Sequence, residues 1–461
     1  MKNINDMTPL AIDLPEDILR SKWCGDFKRC DRLIDIYLDN PKVPECVKER
    51  LRLEKLIIKS MPKEFVYSED EALRMLTERI PDMTQEEFEK LLDTSAIEWI
   101  YVNGGIHCHE DFIDTLIKVH PDMAKRAGEP DAAESPARIA LNENIKAMKA
   151  DGESTWHIRM KAFISPKDEA VSEGEILRVH IPVPKNAMNM RNIKILSVSH
   201  ENAVVGDEND PQRTVYFEAP AAKGERFEVE YEYDSFVKYT DLMKKENLEL
   251  ASEAAQKSAF DTKELYPHIR FTPFIRALCD ELKGDESNPI LIARNFYDYC
   301  TTKVTYSYMR EYFTMTEIPD YCGLGLKGDC GVQALLFITL CRCAGIPARW
   351  QSGLYVNPHD VGCHDWAQFY IEPFGWLFAD CSFGGSAFRA GVYERHDYYF
   401  GNLDPFRMAA NSEYQAALKP EKKYLRIDPY DNQRGEIECT DRGLSRDEAE
   451  SGWEITEIYK K

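Results

Sequence analysis

The stretch KGDCGVQALLFITLCRCAGIPAR, Lys327 to Arg349, constrains this chain more than any other. Asp329 is of the type that caps a helix start and Gly345 of the type that stops one, so the run predicts a helix from Cys330 to about Ala344. It is apolar nearly all round, and a helix with no polar stripe has to be enclosed by other elements. Cys330 is thereby held rigidly at the helix N-terminus, where its sulfur can face a cleft. Unpaired N–H groups and the positive end of the dipole favour a thiolate there. Asp329 opposes that, so a cysteine nucleophile at this position needs a base as well.

A base and an orienting acid stand in CHDWAQFYIEPFGWLFADCSFG, which reads as a strand, a turn at Glu372-Pro373-Phe374-Gly375 and a returning strand. His364 opens the first strand and Asp380 ends the second. A loop of residues 371–375 sets the register so that Trp366 lies opposite Asp380 and His364 diagonal to it, within reach of long side chains. A slip by one would part them. The roles expected are Cys330 as nucleophile, His364 as base and Asp380 as the group that orients the imidazole. The backbone N–H of Cys330 is expected to be one oxyanion donor, with Tyr308 in VTYSY a candidate for another.

The rest of the chain fits a soluble, multidomain protein. It has 461 residues, 43% hydrophobic and 30% charged, enough to bury large cores. A formal net charge of −22 repels phosphate backbones and anionic lipid, so neither nucleic acid nor membrane is an expected partner. The N-terminus shows no basic region leading into an apolar stretch, which predicts a cytoplasmic location. Thirteen cysteines, an odd number without any C-x-x-C spacing, imply neither a disulfide framework nor a zinc ribbon. Cys341 and Cys343 are expected to pack inside the helix.

Apolar residues at helical spacing in VKERLRLEKLIIKSM, DEALRMLTERI and EEFEKLLDTSAIEWI predict a helical N-terminal domain over residues 1–152. Strict alternation in RFEVEYEY, together with WHIRMKAFI, EILRVHIPVP, IKILSVS and TVYFEAP, predicts a β-sandwich over 153–240. Residues 241–461 return to helices and then strands, a mixed α+β domain with an extension at its C-terminal end. In the first domain GGIHCHEDF places His107 and His109 beside Cys108. A metal site is one reading, but no third or fourth ligand is evident, and a lid loop or the acidic opening of the next helix suits the segment as well.

GDCGVQALLFITLCRCAGIPAR, followed by HDWAQFYI and GWLFADCSFG, resembles the core of the transglutaminase-like superfamily, whose pattern is a Cys on a G-x-C helix, a later H-x-W and an Asp after G-W. The likeness spans about residues 260–385. It implies a papain/transglutaminase-like α+β core with an antiparallel sheet, and it carries nucleophile, base and orienter onto Cys330, His364 and Asp380. Cys381 departs from the Pro that many relatives have there. YYFGNLDPFRMAANSEY and DPYDNQRGEIE resemble the tail of bacterial members that carry a β-sandwich before the core.

The superfamily includes transglutaminases, cysteine peptidase-like hydrolases, peptide N-glycanases and members without the triad. The resemblance therefore implies a cysteine hydrolase of amide bonds in a peptide, a modified amino acid or a sugar amide, working through a thioester. Acyl transfer to an amine and an inert scaffold are the alternatives. No cofactor or metal is implied, the expected partner is a peptide or small amide substrate, and nothing in the sequence sets an oligomeric state. Tyr308, Trp366, Asp404 and Arg407 are candidates to line the substrate cleft, Trp366 also as a wall for His364. Asn411, Arg434 and Glu436 either tie the tail to the core or line the acceptor side. Cys363 and Cys381 are possible disulfide partners of Cys330, and His359 reads as a solvated loop residue.

Overall fold

The computed structural model describes residues 3–257 and 260–461. Its first region is mainly helical: α1 (Glu16–Trp23), α2 (Phe27–Asp39), α3 (Glu45–Glu64), α4 (Glu69–Arg79), α5 (Gln85–Asp93), α6 (Phe112–Val119), α7 (Pro121–Arg126) and α8 (Pro136–Asp151). Their starts carry the capping chemistry that orphan N–H groups require. Asp26 accepts from the Arg29 N–H at 3.0 Å, and Ser68 forms a capping box with Glu71. Around α3 the apolar packing closes over a charged triplet, in which Glu54 binds Arg50 at 2.7 Å and Lys22 at 2.9 Å.

This region also contains strands. β1 (Tyr67–Ser68), β2 (Trp99–Val102) and β3 (Gly105–Cys108) form a sheet in the order β1-β3-β2. The Asn103-Gly104 pair, with φ of 51° and 85°, makes the two-residue hairpin turn that matches strand twist. His107 and Cys108 are thus neighbours on a strand and face opposite ways. Cys108 enters the core, while His109 packs edge-on against Phe65 at 5.3 Å and accepts from the Asp111 N–H. The segment is a strand end, not a loop.

After Gly152, in a left-handed conformation at the end of α8, the chain becomes extended. The strands are β4 (Glu153–Pro166), β5 (Ile176–Pro182), β6 (Met190–Val198), β7 (Val204–Val205), β8 (Thr214–Pro220) and β9 (Phe227–Lys238). In β9 the side chains of Phe227, Val229, Tyr231 and Tyr233 are fully buried and the intervening glutamates face outward, as alternation demands.

The catalytic region candidate begins with α9 (Lys245–Glu253), α10 (Pro273–Lys283), α11 (Pro289–Thr302), the short β10 (Thr305–Tyr306), α12 (Ile318–Gly325) and β11 (Lys327–Gly328). Then come α13 (Cys330–Cys343), β12 (Ala348–Asn357), β13 (Asp360–Ile371), β14 (Gly375–Ala379), α14 (Cys381–Arg389), α15 (Tyr393–Tyr398), β15 (Phe400–Gly401) and β16 (Arg407–Asn411). The five longer-range strands form an antiparallel sheet in the order β15-β14-β13-β12-β16. Every residue of α13 from Gly331 to Arg342 is buried, which is the enclosure its composition requires. Leu335, Leu336, Phe337 and Ile338 each contribute about 1.5–3 kcal/mol by leaving water.

The chain then returns to the sandwich. β17 (Glu436–Glu438) pairs with β5, and β18 (Ala449–Lys460) runs along β4 from Pro166 to Trp156. The two four-stranded sheets are β17-β5-β8-β7 and β18-β4-β9-β6. A division of the chain at residue 240 therefore leaves two sandwich strands on the far side of the cut. Their physical effect is to cover the edges of β4 and β5, which would otherwise present unpaired N–H and C=O groups.

One glycine fixes the spacing of the central sheet. Gly353, paired with His364, has the Met408 carbonyl oxygen 2.0 Å from where a Cβ would stand. Gly353→Ala should therefore cost about 1–3 kcal/mol by overpacking. Urea unfolding checks this, and a loss below about 0.5 kcal/mol, the size of an ordinary surface substitution, would refute it.

Candidate active site

The start of α13 is built by its neighbours. Asp329 accepts from the Val332 N–H at 3.0 Å and from the Tyr312 hydroxyl at 2.5 Å, while Gln333 reaches back to the Gly328 carbonyl at 2.8 Å. Burial pushes the Asp329 carboxyl up to about 6. Gly331 is needed beside the nucleophile, because a Cβ there would meet the Tyr312 hydroxyl at 2.2 Å and Asp365 Oδ2 at 2.8 Å.

The hairpin has the register read from the sequence. β13 and β14 pair from Ala367 with Ala379 to Ile371 with Gly375, which sets Trp366 across from Asp380 one step further on. His364 Nε2 and Asp380 Oδ2 are 2.8 Å apart. Asp380 is also the N-cap of α14, with Oδ1 accepting from the Phe383 N–H at 3.0 Å and the Ser382 hydroxyl at 3.3 Å. Its Oδ2 accepts in addition from Arg407 Nη2 at 2.8 Å. Burial by itself would raise the Asp380 carboxyl, but the charges of His364 and Arg407 outweigh it and hold the group well below the usual range. With Nε2 committed to Asp380, Nδ1 is the nitrogen left to act as a base.

Cys330 lies at the His364–Asp365 step of β13. Its sulfur receives the Asp365 backbone N–H, and its thiol donates to Asp365 Oδ2 at 3.3 Å. Among the described residues the hydrogen-bond partner of the thiol is thus Asp365 and not His364; the sulfur meets β13 at its backbone edge, beyond the end of the β14 pairing, between the faces that carry the two side chains. Asp365 Oδ1 accepts from Gln433 Nε2 at 2.7 Å, and the same amide binds the His364 carbonyl at 3.1 Å. Burial, then the carboxyls of Asp365 and Asp329, push the Cys330 thiol well up. Burial also lowers His364, more than Asp380 raises it. The resting pair is a neutral thiol and a neutral imidazole, not the dipole-stabilised thiolate that the helix start alone suggests.

The other candidate residues divide sharply. Trp366 is fully buried and donates its indole N–H to Gln351 Oε1 at 2.7 Å. It lies nearly parallel to the His364 ring at 6.0 Å, so it is a wall behind the imidazole and not a substrate contact. Asp404 and Arg407 are likewise fully buried. Arg407 bridges Asp380 and Asp404, the latter at 3.0 Å, and so backs the acid instead of lining the cleft. Arg407 opens a fully buried strand and Asp404 lies in the buried segment just before it, and their polar character misled because the partner Asp380 is distant in sequence. Tyr308 is half-buried under α6, its hydroxyl bound by Lys118 at 3.0 Å and its N–H by Thr115 at 3.2 Å.

The tail residues mostly tie the chain together. Asn411 binds the Ser352 hydroxyl and the Asn432 carbonyl, each at 3.0 Å, and Glu436 binds Lys422 at 2.8 Å. Arg434 is exposed, with its guanidinium over the Trp453 ring at 5.7 Å. Cys381 is buried with its thiol against Cys300, Cys363 stands across from Leu354, and His359 is exposed in a turn. Asp365, Asp431 and Gln433 were missed from sequence. The available signal was Asp365 itself, an acid at an inward position of a strand next to His364.

Residues 276–381 match the family model of the transglutaminase-like superfamily, so this chain carries a transglutaminase-like domain. No curated relative matches the sequence. Among solved structures, it is similar to a protein from Cytophaga hutchinsonii described as a candidate cysteine protease, 16% identical with a TM-score of 0.42, over 67% of this chain and 91% of that one. It is also similar to the periplasmic domain of TgpA from Pseudomonas aeruginosa, 14% identical with a TM-score of 0.26, over 57% of this chain and 96% of that one. Among the described residues, no helix is long and apolar enough to cross a membrane.

Proposed function

We propose that this protein is a cysteine-dependent hydrolase of amide bonds, acting on a peptide or small amide through a thioester on Cys330. The observation that carries the reading is the buried line His364–Asp380–Arg407, because an imidazole held by an ionised acid is the equipment of a proton-transfer base. The sulfur at the same strand step supplies the nucleophile.

Both partners are neutral at rest, so ionisation and attack are coupled. As Sγ closes on the carbonyl carbon, its proton passes to His364 Nδ1, and Asp380 offsets the charge that develops on the ring. The imidazolium returns the proton to the leaving amine, which departs and leaves the thioester. Water, deprotonated by the same imidazole, attacks the thioester and regenerates the thiol. The Cys330 N–H at the helix start is one donor to the oxyanion.

The test is to screen peptides and small amides for cleavage and to seek the acyl adduct on Cys330 by intact mass. Wild type should acquire the adduct and turn over, and Cys330→Ala should do neither. Full activity in Cys330→Ala on a substrate that wild type cleaves would refute the mechanism. Amide formation with an added labelled amine, in preference to hydrolysis, would make the enzyme a transferase.

A further inference from the structure

We propose that Asp365 is a further catalytic residue: its carboxyl, as the neutral acid, donates a hydrogen bond to the oxyanion formed when Cys330 attacks a carbonyl. This rests on the hydrolase reading above and supplies the side-chain oxyanion donor that Tyr308, bound up with Lys118 and Thr115, is not placed to provide.

The geometry comes first. Asp365 Oδ2 stands 3.3 Å from Cys330 Sγ. In a tetrahedral centre on that sulfur the oxyanion is two bonds away from Sγ, which brings it within hydrogen-bond reach of Oδ2. Gln433 fixes the other carboxyl oxygen at 2.7 Å, so the side chain is oriented before substrate binds. The Cβ-free position of Gly331 leaves the carboxyl room to sit against the helix start.

The surroundings favour the protonated form. Asp365 is 7% exposed, with Asp329 facing it from α13 and Asp431 in hydrogen-bond contact from the tail. Burial, then Asp431 and Asp329, push its carboxyl well up. Asp428 stands behind Asp431, Tyr306 and Tyr312 face the same space, and Cys330 completes the ring. The cations nearby, Arg426 and Arg446, act on Asp428, and Arg426 on Asp431 as well. A carboxylic acid kept neutral by an apolar, acid-rich site is a hydrogen-bond donor, as a carboxylate cannot be.

The step balances without a further reactant. Before attack the thiol donates to Oδ2. Once the thiol proton has passed to His364, the carboxyl O–H, given at rest to Asp431, re-aims to donate to sulfur and then to the oxygen that takes the carbonyl π pair. The carboxyl proton is shared in this bond and stays with Asp365 when the amine leaves and the carbonyl re-forms.

The experiment uses p-nitrophenyl acetate and iodoacetamide on the full chain, wild type and Asp365→Asn, Asp365→Ala and Cys330→Ala. An oxyanion donor aids attack on the ester and does nothing for displacement at an alkyl carbon. Asp365→Ala should acylate Cys330 about 10²–10³-fold more slowly, while its alkylation is undiminished. Asp365→Asn, which keeps an N–H donor, should stay within about tenfold of wild type and lose the alkaline decline that wild type shows as Asp365 ionises. Equal slowing of acylation and alkylation in Asp365→Ala would overturn the proposal, as would a hundredfold loss or an unchanged alkaline limb in Asp365→Asn. If Asp365→Ala does not fold, the Asn variant decides alone. Acyl turnover that persists in Cys330→Ala refutes the hydrolase reading instead, so the two failures are distinct.

Discussion

Arg407→Leu should lower the free energy of unfolding by about 3–5 kcal/mol, because it removes a buried cation that joins two buried carboxylates. Arg407 is fully buried and binds Asp380 Oδ2 at 2.8 Å and Asp404 at 3.0 Å through the same Nη2. Its guanidinium also lies over Tyr355 at 4.8 Å and Phe383 at 4.4 Å, contacts that a leucine replaces only as apolar bulk. The leucine fills much of the volume, so the loss is chiefly that of leaving charge uncompensated away from water.

The pH dependence gives that prediction its sign. Asp380 is held below its ordinary value when folded, so it stabilises the fold fully above about pH 4 and the contribution is lost as pH falls through the folded value. His364, lowered by burial, acts in the same direction: it favours the unfolded chain as pH drops below about 6.5. Without Arg407 the Asp380 value rises, and acid unfolding should begin at higher pH. Guanidinium chloride melts at several pH values between about 2 and 8 measure this. A loss under about 1 kcal/mol at neutral pH would show that the ion network carries little of the stability.

Local pattern was enough for much of this site and not for the rest. The alternation in β9 and the enclosure of α13 are each written in one contiguous stretch, and so is the hairpin register that joins His364 to Asp380. Cys330 at the helix start follows from the same kind of reading. Arg407 and Asp404 were not legible as support for Asp380, because their burial depends on β16 pairing with β12, a contact between segments about fifty residues apart in sequence. The two closing strands of the sandwich escaped for the same reason, since β18 reads as a strand but nothing local names β4 as its partner. Asp365 is a different case. A strand alternates faces, so His364 and its successor had to point opposite ways, and only the position of α13 reveals that the sulfur, at the strand edge, also meets Asp365. The small hairpin at Asn103-Gly104 had a visible turn signal that the pull of His107-Cys108-His109 obscured.

Asp380→Asn should reduce acyl transfer from p-nitrophenyl acetate by about 10⁴-fold while leaving the fold in place. The amide keeps an oxygen for the Phe383 N–H and so preserves the α14 cap, and Arg407 retains Asp404. What changes is the proton on His364. The carboxylate accepts from Nε2–H, which leaves Nδ1 unprotonated and basic. An asparagine amide directed at Nε2 donates instead, and the ring then carries its hydrogen on Nδ1, where it cannot take the proton of the thiol. Because Cys330 is a thiol with its value pushed well up, there is no reserve of thiolate to mask the loss of the base. Loss of Asp380 also removes the charge that partly offsets the burial of His364, so the acid limb of any residual rate should move to lower pH. Stopped-flow acylation at several pH values, with near-ultraviolet circular dichroism as the check on packing, measures both effects. A loss of less than about tenfold with native packing would mean that the tautomer of His364 does not govern the reaction, and that the buried line from His364 to Arg407 serves the fold alone.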